Sequence, residues 1–397
     1  MNNEKIKNII SYFFVVCFVL MVTVVSIFSI VQKDETTSFL ENRKLIQFIT
    51  PTPESLINGT WFADFEKYSK DQVVEREKWM ETYYTLLDAL QVKERNNFVR
   101  GKDEFILPVN DLPSENQLNA SYHYGERQVA ALQDIQCAAN IVDAKLLYVN
   151  IPSKAELFSE NYPDLYYSRM EQNAIERESI LQKVKASGIE TVETYDLLFN
   201  HKDEYIYYAT DHHFTIKGAY YVYLAILEKI NSISSGNEAL VFPEWDTLNI
   251  QRNSNRMAGS YLRSWGDSKK ISVDYMEYAL PYDMPEFTRI DNGQLVENPV
   301  LFNKYNTNYT TFMGGDIGNT VIDTGRDNLP SILYIGFSFT NALETLSVYN
   351  FNKTESLDPR HWEGNICEYI TENEPDYIVV IRDDIYQENP QFRCTVR

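Results

Sequence analysis

The chain has 397 residues, which is enough for one large domain or two modest ones with a real hydrophobic core. Its formal net charge of −21 at pH 7 argues against a nucleic acid as partner, because phosphate binding requires a basic face. With 28 tyrosines, 21 phenylalanines and few glycines or prolines, the composition is that of a globular protein, and its acidity favours solubility.

Residues 1–33 differ from the rest of the chain. Two lysines precede an uncharged apolar run over residues 9–31, which is longer than the roughly 20 residues that cross a bilayer as a helix. No small-x-small cleavage site follows, so we predict a retained signal anchor, with a cleaved signal peptide as the alternative. The lysines before the run and the acidic Asp34 and Glu35 after it predict a cytoplasmic N-terminus and an extracellular main domain at the cell membrane.

The four cysteines do not form a recognisable framework. Cys17 lies in the apolar run, and Cys137, Cys367 and Cys394 are scattered without the spacing of metal ligands. One disulfide is possible among the last three, which would leave one thiol over.

The region after the anchor has helical character. Residues 34–100 are predicted to form a tether and a helical stalk, because residues 61–95 mix apolar and charged side chains at helical spacing without proline or glycine. Residues 98–107 resemble a hairpin, with turn residues between two short apolar runs.

From about residue 127, helical and strand patterns alternate. Helices are predicted at 127–140, 168–187, 215–230 and 361–372, and strands at 144–151, 189–194, 331–336 and 377–381, with a short extended segment at 205–210. This alternation predicts an α/β domain over residues 101–397, with a parallel sheet wrapped by helices. The loop-rich stretch at about 240–326 breaks the rhythm and is predicted to be an irregular insertion or cap.

Ligands bind at the carboxyl ends of strands in such sheets, so residues that follow strands are candidates for a functional site. Lys154, the segment 211–213, Ser338 and Arg382 meet this condition. If the segment is extended, Asp211 and His213 point to one side and His212 to the other. The sequence therefore contains a carboxylate–histidine pair near a predicted strand edge.

Ser338 is the candidate nucleophile for this pair. It follows a strand and Gly336, and the chain there is predicted to turn into a helix that exposes the hydroxyl. His213 would take the serine proton, and Asp211 would hold the imidazole tautomer and stabilise the imidazolium. Backbone donors beside Ser338 would stabilise an oxyanion, and the Asn341 side chain is a further candidate donor.

Each of these residues also has a structural interpretation. Asp211 could cap a helix, His213 could sit in a polar network, and Ser338 could be a plain turn residue. Lys154 could orient a substrate or be a solvated surface lysine, and Arg382 could bind substrate or pair with a neighbouring aspartate.

Metal binding is a rival use of the two histidines. In an extended segment His212 and His213 diverge, and the remaining histidines lack ligand spacing, so no metal or other cofactor is predicted.

Taken in order, several short motifs resemble the bacterial DHHW family, which is named for an Asp-His-His-Trp motif and is related to alginate O-acetyltransferase proteins. The resemblance covers nearly the whole chain and rests on Glu41–Arg43, Leu56–Gly59, Phe65–Tyr68, Arg100–Asp103, Ile151–Lys154, Asp211–Phe214, Gly259–Tyr261 and Pro375–Tyr377.

The resemblance implies an SGNH-hydrolase-like, flavodoxin-like domain with a Ser-His-Asp site at Ser338, His213 and Asp211. Two positions depart from the pattern. Phe214 replaces the tryptophan of the motif, which keeps an aromatic wall for substrate but loses the indole N–H. Phe337 replaces the aspartate that usually precedes the serine of SGNH enzymes.

The expected function is that of a membrane-anchored O-acetyltransferase or acetylesterase that modifies a cell-surface polysaccharide through an acyl-serine, with transfer favoured over hydrolysis. The resemblance also implies a membrane-bound O-acyltransferase as partner. The alternative is an inactive envelope scaffold or glycan-binding protein that kept the fold and lost the chemistry.

Overall fold

The computed structural model describes residues 3–38, 40–41, 43–109, 115–164, 166, 170–234, 239–257, 259–266, 274–306 and 308–383. The chain divides into two compact units. Unit 1 comprises Met1–Asn96 and Arg263–Lys270, and unit 2 comprises Asn97–Leu262 and Ile271–Arg397.

Unit 1 is mostly helical. Its elements before residue 97 are α1 (Asn3–Val31), β1 (Thr37–Ser38), β2 (Arg43–Lys44), α2 (Pro53–Ile57), α3 (Thr60–Asp71), α4 (Arg76–Ala89) and β3 (Glu94–Arg95). Residues 5–31 of α1 are long and apolar enough to cross a membrane. The helical spacing predicted for residues 61–95 is confirmed, because α3 and α4 both lie there.

The remaining elements follow in chain order. The strands are β4 (Phe98–Arg100), β5 (Ile106–Pro108), β6 (Lys145–Ile151), β7 (Glu190–Glu193), β8 (Asn249–Arg256), β9 (Tyr275–Leu280), β10 (Thr288–Asp291), β11 (Gln294–Leu295), β12 (Asn319–Asp323), β13 (Ile332–Ile335), β14 (Lys353–Leu357) and β15 (Tyr377–Asp383). The helices are α5 (Glu115–Ile141), α6 (Lys154–Leu157), α7 (Met170–Ala186), α8 (Tyr195–Asn200), α9 (Ile216–Ile233), α10 (Ser260–Trp265), α11 (Phe339–Ser347) and α12 (Ile366–Asn373). The hairpin predicted at 98–107 is the antiparallel pair β4 and β5.

An eight-stranded sheet, in the order β11-β10-β12-β14-β13-β15-β6-β7, forms the centre of unit 2. Its last five strands are parallel to one another, and the first three extend the sheet in antiparallel pairings. The predicted α/β fold with a mainly parallel sheet is therefore confirmed. The three antiparallel strands come from the region predicted as an insertion, so part of that region belongs to the sheet.

Both faces of the sheet are covered. Along β6, Leu147 and Val149 pack into the core that contains α9 and α11, while Leu146 and Tyr148 pack into the core that contains α5, α7 and α12. The same alternation occurs in β13 and β15, because side chains of a strand point to opposite faces. Burial on both sides explains why these strands read as continuous apolar runs in the sequence.

Two local expectations differ from the structure. The segment predicted as extended at residues 205–210 is bent, with one isolated bridge between Tyr207 and Phe214. Strand β14 was not predicted, because its Lys-Thr-Glu-Ser-Leu sequence has little apolar character, yet its side chains after Lys353 are buried. Among the cysteines, Cys137 is a free thiol and Cys367 is disulfide-bonded.

Candidate active site

The carboxyl ends of three adjacent strands, β13, β15 and β6, form the edge where the candidate residues gather. After β13 the chain turns sharply at Gly336 into α11, with Ser338 at the helix N-cap position. A Cβ on Gly336 would lie 2.8 Å from Thr340 Cγ2 and 3.0 Å from the Ile381 carbonyl oxygen, so a side chain there would disturb the turn. The Ser338 side chain makes no capping hydrogen bond, which leaves its hydroxyl available to other groups.

The histidine-bearing segment is a bent loop that precedes α9, and it is held by buried polar groups. Asp274, which is wholly buried, accepts hydrogen bonds from the backbone N–H of Ala209 at 2.9 Å and of Thr210 at 2.7 Å. The hydroxyls of Thr210 and Tyr205 donate to the same carboxylate. A single buried carboxylate therefore satisfies several donors at once and fixes the start of the loop.

The Gly259–Ser260 pair holds the next part of this loop. A Cβ on Gly259 would lie 2.1 Å from the carbonyl oxygen of Thr210, so only glycine allows this close approach of two backbones. The Ser260 N–H donates to Asp211 Oδ2 at 2.6 Å, and Ser260 Oγ lies 3.0 Å from His212 Nδ1. This motif, one of those that carry the family resemblance, thus positions the carboxylate of Asp211.

The structure brings Ser338, His213 and Asp211 into one hydrogen-bonded chain. Ser338 Oγ lies 2.6 Å from His213 Nε2, and His213 Nδ1 lies 2.6 Å from Asp211 Oδ1. The backbone N–H of His213 also donates to Asp211 Oδ1 at 3.1 Å. All three side chains are buried. In this order a hydroxyl, an imidazole and a carboxylate can pass a proton from the serine to the histidine.

The electrostatics of the site favour an ionised Asp211. Burial alone would raise its pKa, but His213 and His212, together with the hydrogen bonds from His213 and the Ser260 N–H, hold the pKa well below 3.8. Burial and the neighbouring His213 lower the pKa of His212 to about 3, so this second imidazole is neutral at physiological pH. The site therefore contains one anionic carboxylate beside the histidine that contacts the serine.

The expectation that His212 and His213 diverge is wrong, because the loop is bent and not extended. Their ring centroids are 3.7 Å apart, and His212 Nδ1 lies 3.4 Å from Asp211 Oδ1. One ligand atom from each of Asp211, His212 and His213 lies within 4.8 Å of the others, so the two imidazoles are not kept apart as expected. However, both oxygens of Asp211 already accept N–H groups of the chain, which is the arrangement of a hydrogen-bonded carboxylate.

Lys154 is wholly buried, so the interpretation as a solvated surface lysine is wrong. Its amine donates to the carbonyl oxygens of Ala209 at 2.6 Å and Asp211 at 2.9 Å, which bracket the bent loop. Burial lowers its pKa to about 7, against the opposing effect of the Asp274 and Asp211 carboxylates. Lys154 thus holds the backbone of the bent loop, and its role in orienting a substrate stays a prediction.

Two other candidates for substrate binding also lie inside the protein. Phe214 is fully buried, and its ring packs edge-on against Phe339 with centroids 4.8 Å apart, so it is a core residue and not an exposed aromatic wall. Arg382 is buried with its guanidinium 5.1 Å from the centre of the Phe337 ring. The Asn341 amide donates to Asp316 Oδ1 at 3.2 Å.

Sequence reasoning missed Tyr309 and Asp274. The Tyr309 ring stacks on the His213 imidazole with centroids 3.7 Å apart and an angle of 6° between the planes. Its hydroxyl is buried and, among the described residues, has no hydrogen-bond partner. Tyr309 is 96 positions from His213 in a loop-rich region without a local motif, so only the folded structure places it there.

The fold and the site define an α/β protein with a serine, a histidine and an aspartate aligned at the carboxyl edge of a parallel sheet. Residues 171–356 match the family model described as "DHHW protein". The predicted relation of this chain to the DHHW family is thereby confirmed. No curated protein sequence matches the chain.

Solved structures agree with this fold. A DHHW family protein from Eubacterium siraeum is 18% identical, with 75% of this chain and 94% of that chain covered and a TM-score of 0.59. Bacillus cereus PatB1 is 18% identical, with 75% and 99% covered and a TM-score of 0.61. The O-acetyltransferase domain of Pseudomonas putida AlgJ is 11% identical, with 74% and 94% covered and a TM-score of 0.46.

Proposed function

We propose that this protein is an extracytoplasmic, membrane-anchored enzyme that moves an acetyl group to or from a hydroxyl of a cell-surface polysaccharide through an acyl-serine at Ser338. The observation that carries the proposal is the hydrogen-bonded chain from Ser338 through His213 to Asp211, with both links 2.6 Å long. The apolar helix α1 supports the anchor, and the relation to DHHW proteins supports the SGNH-like character of the site.

In the first half of the proposed reaction, Ser338 Oγ attacks the carbonyl carbon of an acetyl ester while its proton moves to His213 Nε2. The resulting imidazolium is stabilised by the Asp211 carboxylate. Collapse of the tetrahedral intermediate breaks the bond to the leaving oxygen, which takes the proton from Nε2. The acetyl group is then attached to Ser338, and the imidazole is neutral again.

The negative oxygen of the intermediate requires preorganised donors. Among the described residues, the backbone N–H groups of Ser338 and Phe339 have no assigned acceptor, and they lie at the N-terminus of the nine-residue helix α11. We assign them the oxyanion role, because the positive end of a helix favours negative charge. Asn341 is the weaker candidate, since its amide already donates to Asp316.

In the second half, a sugar hydroxyl attacks the acyl-serine while His213 Nε2 accepts its proton and then returns a proton to Ser338 Oγ. Water in place of the sugar would give hydrolysis. Transfer is favoured because Ser338, His213 and Asp211 are all buried, which limits the access of water. The acetyl donor is an ester, supplied in our proposal by a membrane-bound O-acyltransferase partner.

A labelling experiment tests the assignment of the nucleophile. An aryl sulfonyl fluoride and p-nitrophenyl acetate should each add one group to the wild-type protein, located on Ser338 by peptide mass spectrometry. Ser338→Ala should remove the label and lower the turnover of p-nitrophenyl acetate by about 10³-fold or more. The control Ser232→Ala changes an exposed serine on α9 and should behave as wild type. Equal labelling and turnover in wild type and Ser338→Ala would overturn the assignment of Ser338 as nucleophile, and their absence in the wild type would favour a scaffold or glycan-binding role.

The stacked tyrosine provides a second test. Tyr309→Leu is expected to lower kcat/KM about 5- to 30-fold, because an aromatic face stabilises a desolvated cation by about 1–2 kcal/mol and His213 becomes an imidazolium during the reaction. Tyr309→Phe keeps the ring and should stay within about twofold of wild type. The measurement is esterase turnover against pH, with thermal stability as the folding check. An equal loss in the Phe and Leu variants would show that the hydroxyl, and not the ring, matters.

A further inference from the structure

Unit 1 carries an unusual concentration of exposed apolar side chains outside α1. Ten large apolar residues between positions 48 and 90 are more than a third exposed, whereas eleven such residues are spread over the described part of 97–383. The ten are Phe48, Ile49, Leu56, Ile57, Phe62, Phe65, Trp79, Tyr83, Leu86 and Leu90. Clusters of this kind on a folded protein mark a surface that binds a protein or a membrane.

Four of these residues form a stripe along α4 and its C-cap. Trp79, Tyr83, Leu86 and Leu90 follow the spacing i, i+4, i+7 and i+11, which places them on one side of the helix. Their exposures are 57, 57, 55 and 65%. Other residues of α4 do have partners within unit 1, since Asp88 forms an ion pair with Arg95. The stripe is therefore an exposed apolar row on a helix whose other side chains are exposed or half-buried.

Helix α3 adds an aromatic cluster. The Trp61 ring stacks on Phe65 with centroids 4.9 Å apart and meets Phe62 edge-on at 5.3 Å. We call the three aromatic residues of α3 and the four residues of the α4 stripe the interfacial face. Its composition of tryptophan, tyrosine, phenylalanine and leucine is typical of segments that lie at a membrane–water boundary.

The corner between α3 and α4 is hydrogen-bonded to the end of α1. The Val74 N–H donates to Ser29 Oγ at 2.9 Å, and Gln32 Nε2 donates to the Gln72 carbonyl oxygen at 3.0 Å. Gln72 also accepts a hydrogen bond from the Glu35 N–H at 3.0 Å. Helix α3 therefore ends, and helix α4 begins, at the level where the apolar span ends. If α1 crosses a bilayer, this corner lies at the outer headgroups.

We propose that the interfacial face lies in the outer leaflet of the same bilayer that α1 crosses, at the boundary between headgroups and acyl chains. The occupant of this face is phospholipid, because the corner that joins its two helices is hydrogen-bonded to the end of the span. Residues 48–90 contain eight acidic and four basic side chains, so attraction to anionic lipid does not hold the face there. The contact is hydrophobic, and it should be insensitive to salt and to lipid charge.

Tryptophan fluorescence in vesicles tests this proposal on the full chain. The five tryptophans are at positions 61, 79, 245, 265 and 362, and only the first two belong to the interfacial face. The protein is reconstituted in phosphatidylcholine vesicles whose acyl chains are brominated near the headgroup, which quenches tryptophans at that depth. Trp61→Phe/Trp79→Phe is expected to lower the quenched fraction of the emission by about twofold or more. The control Trp245→Phe/Trp362→Phe removes two unquenched tryptophans and should raise that fraction.

The outcomes separate the possible occupants. Quenching that is lost in the first double variant and unchanged by high salt supports the proposal. Equal quenching in both double variants overturns the proposal. An absence of tryptophan quenching in protein that floats with the vesicles also overturns it. A disulfide-linked dimer of Leu86→Cys, in a background where Cys17 and Cys137 are serine, would overturn it in favour of a second copy. Protein that does not float would show that α1 is not inserted, which also overturns it but leaves the proposed acyl transfer untouched.

Discussion

Asp211→Asn is expected to lower the kcat for acetyl-ester turnover by about 10⁴-fold in a protein that remains folded. The Asp211 carboxylate accepts three N–H groups, from the His213 ring, the His213 backbone and the Ser260 backbone. Asparagine has one acceptor oxygen and one NH₂ group, so it cannot satisfy all three. If the NH₂ faces His213, the imidazole carries its proton on Nε2 and cannot accept the proton of Ser338.

The pH dependence of this variant is a sharper test than its rate alone. The folded-state pKa of Asp211 lies well below 3.8, so its charge is present at neutral pH and is lost only under strongly acidic conditions. The loss of kcat in the variant should therefore be present at both pH 7 and pH 8, where protonation of Asp211 in the wild type cannot account for it. Asp246→Asn, at an exposed carboxylate, is the matched control. A ratio of wild-type to variant kcat near one at these two pH values would contradict the role assigned to Asp211.

Lys154→Met is expected to weaken the bent loop and to change how stability depends on pH. A neutral amine has two N–H donors, which match the carbonyl oxygens of Ala209 and Asp211. Methionine has a similar length but no donor. The Ala209 carbonyl would keep the Ile106 N–H as donor, whereas the buried Asp211 carbonyl would be left unsatisfied at a cost of about 1–3 kcal/mol. We also expect slower turnover, because these two carbonyls flank the segment that carries Asp211 and His213.

The sign of the pH effect follows from the pKa of Lys154, which burial lowers from 10.5 to about 7. Between these values the unfolded chain binds more protons than the folded one, so the wild type gains stability as the pH rises. The stability advantage of wild type over Lys154→Met should be larger at pH 9 than at pH 7 by about 2 kcal/mol. Urea unfolding at both pH values measures this difference, with the exposed Lys185→Met as control. Parallel pH profiles for wild type and Lys154→Met would mean that Lys154 keeps its ordinary protonation in the fold.

Much of the architecture could be predicted from the sequence. The apolar runs of β6, β13 and β15 are visible because both faces of these strands are buried, and the 3.6-residue spacing of α5, α7 and α9 is visible because one side of each helix packs on the sheet. The local order of Asp211, His213 and a serine after a strand also indicated which side chains could meet. Each of these features arises within a short stretch of chain. The spacing of its apolar residues shows directly which sides of the helix or strand are buried.

The exact form of the site could not be predicted in this way. The choice of His213 rested on an extended segment, yet the loop is bent and His212 lies beside its neighbour. Lys154 could not be recognised as buried, since its burial depends on two carbonyl groups more than 50 positions away. Tyr309 was not recognised because its stacking partner lies in another part of the chain.

The sequence by itself thus determined the helices and strands of the sheet, the apolar span and the residue types that could carry acyl transfer. Only the tertiary structure decided the bend of the histidine loop, the burial of Lys154 and the ring that covers His213. The physical reason is that periodic burial leaves a pattern in each element, whereas a bend held by Asp274, Gly259 and Lys154 depends on hydrogen bonds and close contacts between distant segments.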